Sequence, residues 1–113
     1  MNEVTGFSIL FALVGLLFIG LSVPLIMKKV PPNWIYGYRT KKTLTKETIW
    51  YEANHVFGKD FFISGLLTFI ASLVMLVLGQ GADPIYAVII LLGVLLLSLA
   101  WAALHSFKNV KRM

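Results

Sequence analysis

Four polar residues stand out for the chemistry they could do: Asn33, Arg39, Thr40 and Asn54. Arg39 presents five donors in a planar fork, a shape that suits a phosphate or carboxylate. Asn33 and Asn54 can each orient a loop or hold a ligand. Trp50 lies four residues before Asn54 and would share its helix face. The same residues also suit a purely structural task, with Arg39 on lipid phosphate and the asparagines satisfying buried backbone. Glu52 and His55 are three apart, but typical zinc spacings are absent, so no metal is expected. Asp60 falls about one turn into an apolar run. Pairing with Lys59, Arg39 or a backbone donor is expected there rather than a proton relay. No nucleophile stands beside a base, and His55 could approach Thr40 only after folding, so no enzyme and no cofactor are expected. The chain has no cysteine, which excludes disulfides, thiolate zinc sites and cysteine nucleophiles.

The elements that must position these residues are set by the oil in the sequence. Of 113 residues, 58% are hydrophobic and 13% are charged, against about 25% charged in a soluble domain. Mean hydropathy is +0.84. Three apolar runs, at 4–27, 56–78 and 84–107, each exceed 20 residues. Each is long enough to cross about 30 Å of hydrocarbon as a helix. The first carries Glu3 and no cation at its start and is too long for a signal-peptide core, so it reads as a permanent span. Pro31 and Pro32 stop its continuation, and Gly79, Gly81 and Pro84 allow a tight turn between the second and third runs. Small residues such as Gly15, Gly20, Gly65, Ser72, Gly93, Ser98 and Ala102 suit close helix packing, although no strict GxxxG occurs.

Charge sets the direction. Lys28, Lys29, Arg39, Lys41, Lys42, Lys46 and Lys59 surround the first connection, and Lys108, Lys111 and Arg112 follow the third run. The N-terminus and the second connection have no lysine or arginine. The positive-inside rule then places the N-terminus outside, and the 28–55 loop and the C-terminus in the cytoplasm. The expected fold is an all-α membrane protein, a single domain over 1–113 with three transmembrane helices.

The connecting segment divides in two. "KKVPPNWIYGYRTKK" is expected to be irregular, with Gly37 permitting a turn and Trp34, Ile35, Tyr36 and Tyr38 at headgroup level. The second half reads as a short amphipathic helix with Thr45 as N-cap, a Leu44–Ile49 staple, an apolar face of Ile49, Trp50, Ala53, Val56 and Phe57, and a bend at Gly58.

Asn33, then Gly37-Tyr38-Arg39-Thr40, then Trp50, Asn54 and Gly58, set between apolar spans, resemble the SdpI/YfhL family of bacterial membrane proteins. Its pattern runs roughly N-x-x-x-G-x-R-T-P, then W-x-x-A-N, then G. Lys41 departs from it where many members have proline. The resemblance implies a small multi-pass protein of the bacterial cytoplasmic membrane that confers immunity to a membrane-active peptide toxin. It also implies that such a protein can recruit a transcriptional repressor to the membrane. Besides toxin and repressor, the expected partners are membrane lipids and a second copy of the chain, since three helices bury little. Direct nucleic-acid binding is not expected from so short a basic tail. A small exporter and a lipid-headgroup-binding protein stand as alternatives. The exporter is disfavoured because the first run has no charged group within it.

Overall fold

The structure is a computed structural model that describes every residue except Met1 and Trp34. The expectation for Trp34 at the headgroup level therefore lies outside the described residues. Four helices follow in order: α1 (Glu3–Ile26), α2 (Lys41–Thr45), α3 (Glu47–Leu78) and α4 (Pro84–Lys111). Three of them, α1, α3 and α4, are long and apolar enough to cross a membrane. Helix α3 is central and packs on both α1 and α4, which touch each other less.

The inside of this bundle is small and polar, and its outside is large and apolar. Buried on α1 are Val4, Ser8, Phe11, Gly15, Ser22 and Leu25, at spacings of three, four and seven. Such spacing makes one stripe on a helix. On α3 the buried row Asp60, Ser64, Thr68, Ser72 advances four residues at a time. Leucines, isoleucines and valines such as Leu13, Leu17, Val77, Ile89 and Leu97 are exposed. Against lipid tails, large apolar side chains gain nothing by turning inward. Association instead favours small residues that let backbones approach, as here.

Gly15 and Gly65 show how close that approach is. A Cβ added to Gly15 would lie 2.7 Å from the Gly65 carbonyl oxygen, and one on Gly65 would lie 2.8 Å from that of Gly15. The two glycines thus meet across α1 and α3, without either helix carrying a GxxxG repeat.

The helix ends have identifiable causes. Asn2 caps α1 by accepting from Thr5 N at 2.7 Å, and Asp83 caps α4 by accepting from Ile85 N at 3.1 Å, with Pro84 at the first position. Asn2 also donates to Gln80 Oε1 at 2.7 Å, tying the start of α1 to the turn after α3. Helix α1 stops before the prolines. Lys28 takes a left-handed backbone (φ 58°), and the amides of Lys28 and Lys29 turn back to the carbonyls of Leu25 and Pro24.

Two expectations about the connection are corrected. Thr45 is not an N-cap. It closes α2 with its hydroxyl on the Lys42 carbonyl (3.0 Å), and α3 begins after Lys46, which has extended backbone and no side-chain cap. The capping residue is Thr40, which forms a reciprocal box with Thr43 at the start of α2. Nor is there a separate amphipathic helix that bends at Gly58. Helix α3 runs unbroken for 32 residues, about 48 Å at 1.5 Å per residue. Gly58 instead lets α1 come close, because a Cβ there would meet Ile26 Cγ1 at 2.9 Å and Leu25 Cβ at 3.0 Å.

Candidate functional site

The connection between α1 and α2 has no regular ladder of its own, so its peptide groups need partners from elsewhere. The first half of α3 supplies them. Trp50, fully buried, donates its indole N–H to the Val30 carbonyl at 2.8 Å. Asn54, one turn on and equally buried, receives the Tyr38 N–H on Oδ1 at 2.6 Å. Its Nδ2 donates to the Trp50 carbonyl at 2.9 Å and reaches the Tyr38 carbonyl at 3.4 Å. One amide side chain thus holds both main-chain groups of Tyr38, much as a neighbouring strand would.

Gly37 is what makes room for this. Its φ is +114°, a region side chains resist, and a Cβ there would lie 2.7 Å from Asn54 Oδ1 and 3.3 Å from Trp50. Asn33 shapes the turn just before. Its Oδ1 accepts from the amides of Ile35 (2.9 Å) and Tyr36 (2.8 Å), and its Nδ2 donates to the Pro31 carbonyl (2.8 Å). Thr43 closes the far side. Its buried hydroxyl lies 3.1 Å from the carbonyls of both Tyr38 and Thr40 and receives the Thr40 amide at 2.7 Å.

Further ties fix the loop to the long helices. Tyr36 donates its hydroxyl to the Leu21 carbonyl, and burial pushes its phenol above its ordinary value, so it stays a donor. His55 Nδ1 donates to the Ile26 carbonyl at 2.6 Å, and Lys28 pairs with Glu52 at an exposed position. The Tyr38 ring sits 5.6 Å from that of Phe57. Glu52 and His55 are thus engaged with different partners. Among the described residues no three His, Cys, Asp or Glu side chains are grouped to hold a metal.

The predicted cluster therefore comes together around Tyr38. Asn33, Gly37, Trp50 and Asn54 meet the loop backbone, Thr40 caps α2, and Gly58 faces α1 two turns below Trp50. Arg39, between Tyr38 and Thr40, is exposed.

A model of the SdpI/YfhL protein family matches residues 29–105. The chain belongs to the SdpI/YfhL family. That match takes in the whole Asn33–Gly58 motif, α3 and most of α4. Neither the curated proteins nor the solved structures include a match.

A second polar cluster was missed in the SdpI-type sequence. Asp60 is buried, and its partners are on α4 rather than the expected Lys59, Arg39 or backbone. Oδ2 accepts from Ser106 Oγ at 2.8 Å and lies 2.7 Å from His105 Nδ1. The His105 ring stacks on Trp101 with centroids 5.1 Å apart. One turn further in, Ser64 and Ser98 share a hydrogen bond of 2.7 Å, again between α3 and α4. A carboxylate in an apolar span signals a required partner, but which helix supplies it depends on the packing. Thr43 was missed too, although a Thr-x-x-Thr start to a helix carries the outline of a capping box.

Proposed function

We propose that this chain is a small multi-pass protein of the bacterial cytoplasmic membrane that confers resistance to a membrane-active peptide toxin. The observation that carries the reading is the family match over residues 29–105, which covers the locked loop, α3 and most of α4. The charge distribution supports an outside N-terminus and a cytoplasmic loop and C-terminus. In this reading the lock built from Asn33, Gly37, Trp50 and Asn54 is the scaffold, and what it presents is Arg39 and its exposed neighbours. No catalytic step is assigned to any of them. Protection would act by binding toxin in the bilayer or by altering its access to a target, and the basic connection after α1 is where a repressor would be recruited.

The test is survival of a toxin-sensitive bacterium expressing the chain, challenged with a range of membrane-active peptides, with membrane abundance measured in parallel. Wild type is expected to raise survival against at least one peptide. Arg39→Ala is expected to reduce protection at normal abundance, whereas Asn54→Ala reduces protection by lowering abundance. No gain in survival from the wild type with any peptide, at confirmed membrane abundance, overturns the reading.

A further inference from the structure

A cleft of about 290 Å³ opens between α2 and the last turns of α4. Its surface is largely apolar, and its lining residues are Tyr38, Thr40, Phe107 and Val110 together with Lys41, Lys42 and Lys111. The C-terminal end of a helix ordinarily repels an anion, because its carbonyls point outward. Here Lys42 covers that end, with Nζ 3.1 Å from the Val110 carbonyl and 3.4 Å from that of Lys111. The helix end is thereby neutralised, and the exposed residues Lys41 and Lys111 set the sign of the cleft.

The apolar lining does not stop at the cleft. Phe107, Leu104, Trp101 and Leu97 are all exposed and follow one another at spacings of three and four down α4. They form an apolar strip from the lysine-lined cleft into the membrane-spanning part of the helix. A second cleft at the opposite end of the bundle, lined by Ala71, Val74, Met75, Leu78 and Ile90 among others, has no cation in its lining.

We infer that the α2–α4 cleft is a binding site for an anionic phospholipid, its phosphate between Lys41 and Lys111 and an acyl chain along Phe107 and Leu104. Charge complementarity selects the phosphate, and the continuous strip selects a lipid over a free anion.

The test uses the full chain, purified in a neutral detergent, with bound lipid counted by native mass spectrometry. Phosphatidylglycerol and phosphatidylcholine with the same acyl chains are offered in competition. Phosphatidylglycerol is expected to be retained about tenfold over phosphatidylcholine. The double variant Lys41→Gln/Lys111→Gln is expected to bring the two lipids to near parity. Lys29→Gln/Lys46→Gln removes the same charge outside the cleft and is expected to keep the preference. Phe107→Ala is expected to weaken retention of phosphatidylglycerol without touching charge. Three outcomes overturn the site: equal retention of both lipids by the wild type, equal loss in the two lysine double variants, or displacement of phosphatidylglycerol by inorganic phosphate at matched concentration.

Discussion

The loop lock and the α3–α4 contact both rest on buried polar side chains, with the exposed His105 at the edge of the second, but they solve different problems. In the loop, Trp50, Asn54 and Thr43 bond to peptide groups of Val30, Tyr38 and Thr40. Between the helices, Asp60 meets Ser106 and His105, and Ser64 meets Ser98, side chain to side chain. A peptide group cannot be mutated away, so the loop needs its polar partners whatever else changes. A side-chain pair can be removed from both ends, leaving two helices whose own backbones are already bonded. The first kind of cluster is obligatory for the conformation, whereas the second is replaceable in principle.

That contrast sets the order of effects. The largest is expected from Asn54→Leu, which leaves the Tyr38 N–H without a partner and its carbonyl with the Thr43 hydroxyl alone. The loss of stability is about 3 kcal/mol, measured as thermal unfolding in detergent, and no second apolar substitution rescues it. Rescue of Asn54→Leu by an apolar change at Tyr38 would break the comparison. Gly37→Ala belongs beside it at about 2 kcal/mol, from the positive φ and the contact with Asn54.

The next effect comes from the helix pair. Ser106→Ala alone removes one bond to a buried carboxylate and is expected to cost about 1 kcal/mol. The triple change Asp60→Leu, His105→Leu, Ser106→Ala is expected to recover most of that loss, because no buried polar group is left alone. A triple variant less stable than Ser106→Ala would make this cluster as obligatory as the loop and erase the distinction.

The smallest effects fall on groups that serve neither purpose. Ser8 Oγ and Thr68 Oγ1 are buried with no hydrogen-bond partner among the described residues. Thr68→Val keeps the shape and is expected to be neutral or to stabilise by about 1 kcal/mol. Glu52→Gln breaks an exposed ion pair with Lys28 and is expected to leave the melting temperature unchanged. Together these two changes sharpen the comparison by showing that polarity or charge alone, without a dependent partner, contributes little.

The parts of this architecture that were legible in the sequence are those decided by composition along a single element. Three runs of apolar residues sufficed for three long helices, since in lipid a lone segment must satisfy its own backbone. Proline at 31 and 32, and the Gly79–Pro84 turn, marked the ends to within a few residues. The motif residues Asn33, Gly37, Trp50 and Asn54 were legible as a set, but not what each one bonds. The cap expected at Thr45 missed the start of α3 by one residue, because the Thr45 hydroxyl is turned back to close α2, a helix that the sequence reading did not separate from the loop. The bend at Gly58 failed for a similar reason. A glycine in a helix marks either a hinge or a close neighbour, and here the neighbour is α1.

By itself, then, the sequence determined that the chain is helical, that three helices suit a membrane, and that its cations gather beside the first connection and the C-terminus. Each of these depends on residues near one another along the chain. Tertiary structure alone decided that Asn54 holds Tyr38, sixteen residues away, that Asp60 turns to α4, forty-five residues on, and that Lys42 covers the end of α4. Those pairings depend on which helix faces approach. That is set by the summed fit of small residues such as Gly15 against Gly65, which no single stretch of sequence contains.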